Sequence, residues 1–177
     1  MATGVGVERL ADDPSPTGKG LALTDDIDHR ALGVGYFNRT WGLIDAGRRT
    51  PEQDRDMLTT AFASRRHWID AGGTDENLVI SDWQIAHAAS LAGFPDVAAA
   101  FSVAAYDRAR AAQLPTWLLA STAEGRARAC AAAGDTDGFE RFADETRELL
   151  SQVDDDDDRQ LIESQLAAIP APKSKEP

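Results

Sequence analysis

The chain has little of what marks secreted, membrane or metal-binding proteins. Cys130 is its only cysteine, which excludes an internal disulfide and is typical of a reducing cytosol. No run approaches the ~20 apolar residues of a membrane-spanning helix, and the N-terminus lacks a signal-peptide pattern. No Cys/His cluster has zinc-ligand spacing, so the sequence predicts no metal site. We therefore expect a cytoplasmic protein.

Basic residues are also scarce. The chain has 18 Lys and Arg residues against 30 Asp and Glu residues, which gives a net charge of −12. Because neutralisation of phosphates dominates nucleic-acid binding, and basic residues attract proteins to anionic membranes, we expect neither partner. The acidic run 154–158 lacks the glycine and terminal glutamate of an EF-hand. A negatively charged helix start explains that run better.

Helical periodicity fills the chain between two ends that lack it. Residues 1–22 and 170–177 are expected to be flexible, and residues 23–169 to form one all-α domain of about seven helices. Capping residues and prolines place the helix starts near Thr24 or Asp25, then at Thr50, Asp75, Pro95, Pro115–Thr116, Thr136 and the acidic run. Glycines place the stops at Gly47, Gly72–Gly73, Gly93 and Gly134.

Short turns between these helices favour antiparallel hairpins. Three hairpins and a capping helix predict an α-solenoid of the tetratricopeptide (TPR) type. The intervals between Gly47, Gly93 and Gly134 exceed the ~34 residues of that repeat, so the array would be irregular. An irregular helical bundle is the alternative.

Polar residues recur on the first helix of each hairpin where a core stripe is expected. The sets, each at helical spacing, are Asn38, Trp41 and Asp45; Trp83, His87 and Ser90; and Trp117, Ser121, Glu124 and Arg128. Since 3.6 residues complete a turn, each set lies on one face. First helices line the concave side of such arrays, so we predict a shared pocket. The alternative is that the tryptophans are core residues and the polar groups are solvated or paired.

Several of these side chains have the chemistry of an active site. Asp45 or Glu124 offers a general base or an anchor for an ammonium group. Arg128, one turn after Glu124, either pairs with it or binds an anion through two hydrogen bonds. His87 is the third catalytic candidate, because an unperturbed imidazole can act near neutral pH, while His67 is expected at the pocket edge as a substrate-binding residue. The alternative for both histidines is a structural role, which is the more common one for a lone histidine on a helix.

Four segments carry a family resemblance. They are Tyr36-Phe37-Asn38-Arg39-Thr40-Trp41, Asp45-Ala46-Gly47-Arg48-Arg49-Thr50-Pro51, Ala63-Ser64-Arg65-Arg66-His67-Trp68 and Asp82-Trp83-Gln84-Ile85. Residues 36–168 thereby resemble a family of small TPR-like helical proteins from actinobacteria and other bacteria. This chain has Phe62 where the family has a histidine, and Ala86-His87 where the family has Ser-Arg. His87 in place of arginine changes the charge and the reach inside the pocket.

One branch of that family is similar to proteins implicated in forming aziridine rings in azinomycin-type biosynthesis. The resemblance implies a small-molecule enzyme of secondary metabolism, in which an amine displaces a sulfate ester without a metal or organic cofactor. Asp45 or Glu124 would take the amine proton and Arg128 would hold the sulfate. Trp41, Trp83 and Trp117 would exclude water and shape the substrate, and Asn38 and Ser121 would contact it.

Two other classes of function remain open. The chain is either a noncatalytic TPR-like module that binds a peptide or helix, or a subunit that stabilises an enzyme partner. A short array leaves the apolar faces of its end helices uncovered. We therefore expect a dimer, with a second copy or with a related helical protein.

Overall fold

The computed structural model describes residues 27–172, which form seven α-helices and no strand. The helices are α1 (His29–Asp45), α2 (Pro51–Asp70), α3 (Asp75–Leu91), α4 (Pro95–Ala111), α5 (Thr116–Ala133), α6 (Thr136–Leu150) and α7 (Asp156–Ala167). The all-α class is thus confirmed. The expected flexible segment 1–22 and the last residues of the tail, 173–177, lie outside the described residues.

Capping residues determine most helix ends as predicted. Thr50 caps α2 with a full capping box, in which Gln53 returns a hydrogen bond to the backbone of Thr50. The glycines predicted to end helices do so. Gly47, Gly72, Gly93 and Gly134 all have φ between 67 and 78°, the left-handed conformation that follows a helix. Two ends differ from the prediction.

The first helix starts later than Thr24 or Asp25, and the sixth ends earlier than Val153, where the apolar periodicity of the sequence predicts its end. Asp28 caps α1, since its side chain accepts a hydrogen bond from the backbone N–H of Ala31 at 2.8 Å. Helix α6 stops at Leu150, and a turn follows it. The sequence offers several capping aspartates near α1, and periodicity alone does not choose among them.

The helices pack as a row of hairpins. Helices α1 and α2, α3 and α4, and α5 and α6 pair most extensively, and the short turns make each pair antiparallel. Helix α3 contacts both α1 and α5, so the first helices of the hairpins lie side by side. Helix α7 packs against α5 and α6. None of the described helices is both long and apolar enough to cross a membrane.

Small residues in the central helices let large ones pack closely. Alanines at 86, 88 and 89 of α3 and at 120, 123, 127 and 129 of α5 are nearly inaccessible to solvent. A Cβ atom at Gly125 would lie 2.7 Å from Cδ1 of Trp83. The absence of a side chain at Gly125 therefore creates the space that the Trp83 indole occupies.

Buried polar side chains join the first three helices. The hydrogen bonds run from Ser64 Oγ to the carbonyl of Gly33 (2.8 Å), from Arg65 Nε to the Asp82 carboxylate, and from Gln84 Nε2 to the carbonyl of Phe37 (3.0 Å). All these polar side chains belong to the segments that carry the family resemblance. Several polar residues of those segments therefore determine how α1, α2 and α3 pack.

Candidate functional site

Helices α1, α3, α5 and α7 enclose a pocket of about 690 Å³. Its lining residues are Phe37, Trp41, Ile44 and Asp45 of α1; Ile80, Trp83, His87 and Leu91 of α3; Trp117, Leu118, Ser121 and Arg128 of α5; and Asp158, Leu161, Ile162, Ser164 and Gln165 of α7, followed by Ala168. Small-molecule sites typically have volumes of about 300–1,000 Å³ and mostly apolar walls. The pocket has both properties.

Most of the residues that the sequence singles out lie in this wall. Trp41, Asp45, Trp83, His87, Trp117, Ser121 and Arg128 line the pocket. Asn38 does not: it is exposed, and α1 instead contributes Phe37 and Ile44. The lining stripe of α1 is thus rotated slightly from the predicted one.

Trp41, Trp83 and His87 form a compact aromatic group. The ring centroids of Trp41 and Trp83 are 5.5 Å apart at an interplanar angle of 45°. The His87 ring meets Trp41 edge-on at 5.4 Å and Trp83 edge-on at 6.0 Å. Edge-to-face packing of this kind fixes ring orientation, so a ligand meets a shaped wall.

His87 is the most unusual titratable group of the pocket. The residue is only 5% exposed, and its Nδ1 atom has no hydrogen-bond partner in residues 27–172. Burial, and then the positive charges of Arg128 and Arg49, lower the pKa of His87 well below its ordinary value. The imidazole is therefore neutral at physiological pH. Since buried polar atoms are nearly always hydrogen-bonded, the lack of a partner at this buried Nδ1 atom is exceptional.

Glu124 lies behind the wall and not in it. Its carboxylate is fully buried, with Oε1 accepting hydrogen bonds from Arg128 Nε at 2.9 Å and Nη2 at 2.5 Å. Its Oε2 accepts a bond from Trp83 Nε1 at 3.3 Å. Arg128 Nη2 also donates to the carbonyl of Gln165 at 2.8 Å, which links α5 to α7. Glu124 thus positions two lining side chains and does not reach the pocket.

The charges around the pocket favour a cation. Asp45 and Asp158 line it and form no ion pair with any described residue. Arg128, the lining arginine, is already neutralised by Glu124. A bound cation would meet carboxylates and three tryptophan side chains in the pocket wall.

His67 does not line the pocket. Its ring stacks on Tyr36 with centroids 5.7 Å apart, and its Nδ1 lies 2.8 Å from Nδ1 of His29. Asp70 completes a group whose ligand atoms all lie within 4.8 Å of one another. Sequence spacing gave no sign of this group, because His29 and His67 are on different helices.

The sequence patterns also do not predict that α7 forms one wall of the pocket. Its Asp158, Ser164 and Gln165 provide much of the polar lining. Periodicity predicts that α7 exists, and the apolar face it carries is too short to indicate which helices it covers.

Comparisons of the chain with protein-family models, with curated proteins and with solved structures found no match. The resemblance to aziridine-forming proteins therefore stays a prediction.

Proposed function

We propose that this protein is an enzyme that acts on a small, largely apolar amine in the pocket, with His87 as the proton acceptor. The observation that carries the proposal is a buried imidazole, with an unpartnered Nδ1 atom, in the wall of an aromatic pocket, where burial lowers its pKa. Perturbed titratable groups in clefts are typical of active sites.

The amine follows from the charge and the surface of the pocket. Asp45 at its edge and Asp158 on α7 offer carboxylates to an ammonium group. Trp41, Trp83 and Trp117 line the pocket; indoles attract cations and provide apolar area for the rest of the molecule.

The reaction that the resemblance implies is ring closure. The nitrogen lone pair of an amine forms an N–C bond to the neighbouring carbon, and the C–O bond breaks with its electron pair leaving on sulfate. As the N–C bond forms the N–H becomes acidic, and His87 accepts that proton. Asp45 would hold the ammonium form of the substrate and accept its first proton, which frees the nitrogen lone pair for the attack.

Arg128 is suited to the departing sulfate. Its Nε and Nη2 atoms are engaged by Glu124 and Gln165, and its Nη1 atom has no hydrogen-bond partner within residues 27–172. Nη1 can therefore donate to an oxygen of the leaving group. Because Glu124 fixes the guanidinium, the donor is positioned before the reaction begins.

The location and assembly of the enzyme are further parts of the proposal. A single free and buried cysteine suits a cytoplasmic enzyme of bacterial secondary metabolism. A dimer with a second copy, or with a related helical protein, would cover apolar side chains that are exposed here, such as Phe62 and Phe94.

Sulfate release from the O-sulfate of phenylglycinol, an aromatic amino alcohol, tests the proposal. We expect the wild type to accelerate release and His87→Gln to lower the rate by about 100-fold or more, because the proton acceptor is lost. Ser90→Ala is the matched control, since Ser90 lies one turn further along α3 and does not line the pocket. Saturable binding of the sulfate ester without sulfate release, by the wild type and by both variants, would indicate a noncatalytic binding protein.

A further inference from the structure

We propose that His29, His67 and Asp70 form a second site, which binds a divalent transition-metal ion such as Zn²⁺. His29 begins α1, while His67 and Asp70 lie in the last turn of α2. Their ligand atoms all lie within 4.8 Å of one another. The ion would join the two ends of the first hairpin, on residues that do not line the pocket.

The distances are close to those of a metal site. Zn–N bonds of about 2.0–2.1 Å place two nitrogens of a tetrahedral site about 3.3 Å apart. The Nδ1 atoms of His29 and His67 are 2.8 Å apart, and Nδ1 of His29 is 3.9 Å from Oδ2 of Asp70. Both separations are within about half an ångström of that tetrahedral spacing.

The donor set selects the class of ion. Two imidazoles and a carboxylate suit zinc and its neighbours, whereas magnesium and calcium prefer oxygen ligands. The side chains of His29 and Asp70 are about a quarter exposed, at 25% and 24%. An ion can therefore enter from solvent and retain water as its remaining ligand.

The surrounding residues hold the ligands in place. The His67 ring lies parallel to Tyr36, at an interplanar angle of 3°. Arg66 binds the Asp70 carboxylate at both oxygens, with N···O distances of 2.9 and 2.5 Å. Such partners orient metal ligands, although Arg66 also competes with the ion for the carboxylate.

The empty arrangement has a proton where the ion would sit. Two imidazole Nδ1 atoms that face each other at 2.8 Å need one hydrogen between them. A metal ion can bond to Nδ1 of both rings once that hydrogen has moved to Nε2 of its own ring. Binding should weaken as the pH falls, because protons compete with the ion for the imidazole nitrogens.

Equilibrium dialysis of the full chain, without a histidine tag, against Zn²⁺ in excess Mg²⁺ tests the proposal. The magnesium occupies nonspecific acidic sites, including the acidic start of α7. We expect one ion per wild-type chain. Affinity should fall at least about tenfold in each of His29→Gln, His67→Gln and Asp70→Asn, because each removes one of three ligands.

Two further variants make the test specific. His87→Gln removes the remaining histidine of the chain and should retain wild-type binding. Arg66→Ala should bind more tightly, because the Asp70 carboxylate is released for the ion. The absence of saturable Zn²⁺ binding to the folded wild type, or equal binding by His67→Gln, would overturn the proposal.

Cobalt gives an independent readout. Co²⁺ bound through these nitrogen and oxygen ligands should produce visible absorption bands that titrate to one equivalent. The bands should vanish on addition of Zn²⁺ and be absent from His67→Gln. Bands that persist in that variant would place the ion elsewhere.

Discussion

The Glu124–Arg128 ion pair is the most deeply buried charged contact of the pocket wall, with side-chain exposures of 0% and 5%. Replacing Glu124 with glutamine keeps the shape but leaves the guanidinium charge uncompensated. We expect Glu124→Gln to lower the free energy of unfolding by about 3–5 kcal/mol. Urea denaturation measures this directly.

The exposed pair of Arg147 and Asp144 provides the control for that measurement. Asp144→Asn should change stability by less than about 1 kcal/mol, because solvent screens the pair. A rise in stability on Glu124→Gln would mean that the carboxylate is held at a cost to folding, as active-site charges often are.

Gly125 and Gly42 form a matched pair of helical glycines. Alanine at Gly125 brings a Cβ atom against the Trp83 indole, and alanine at Gly42 meets nothing within 4 Å. We expect Gly125→Ala to destabilise the fold by about 1–3 kcal/mol. Gly42→Ala should stabilise it by up to about 1 kcal/mol, because the unfolded chain loses freedom. Thermal unfolding of both variants checks this, and equal shifts would contradict the packing at Trp83.

His87 should make stability depend on pH. Its pKa is lowered in the folded state, mainly by burial, so below about pH 6.5 the unfolded chain takes up a proton that the folded chain does not. Stability should therefore fall with decreasing pH below that point, by at most about 1.4 kcal/mol per pH unit for this group. His87→Gln should lack this component. Identical pH dependence of the two proteins, measured by urea unfolding, would show that folding does not lower the pKa of His87.

Helical periodicity predicts which face each of these residues occupies, and it places Trp41, Trp83, Trp117 and His87 correctly in the wall. Periodicity does not predict how deeply a side chain on that face is buried. Glu124 shares the predicted stripe of α5, yet Arg128 and Trp83 hold it behind the surface. His67 was expected at the pocket edge, and its helix instead turns it toward His29. That orientation depends on how α1 and α2 pack, which no single segment encodes.

Whole helices were easier to predict than their contacts. Threonine caps and glycine stops act within a few residues, so the ends of α2 and α5 follow from the sequence. Contacts between helices depend on distant residues, such as Ser64 bonding to Gly33. The position of α7 across α5 and α6 is of this kind.

Helix α7 should be the most mobile wall of the pocket. Ile162 is its one buried residue, whereas α5 is buried along most of its length. We expect amides of α7 to exchange with deuterium faster than those of α5, and a bound amine to slow α7 selectively. Hydrogen exchange with and without phenethylamine measures this. Equal protection of both helices, unchanged by the amine, would mean that α7 does not respond to the pocket.

The molecule combines a large negative charge with an apolar pocket in which carboxylates outnumber unpaired basic groups among the described residues. With a net charge of −12 it attracts cations from a distance, and Asp45 and Asp158 continue that preference at the site. The proposed metal site uses a different end of the first hairpin. A chain that binds no metal ion there could therefore still bind an amine in the pocket.

Isothermal titration calorimetry of phenethylamine, compared with phenethyl alcohol, tests most directly whether the pocket binds an apolar amine. We predict saturable binding of the amine by the wild type, at least about fivefold tighter than the alcohol, because carboxylates and indole faces attract its charge. Trp117→Leu should weaken binding, whereas Trp68→Phe, which alters a tryptophan outside the pocket, should not. Equal binding of amine and alcohol, or no binding by the wild type, would contradict the account.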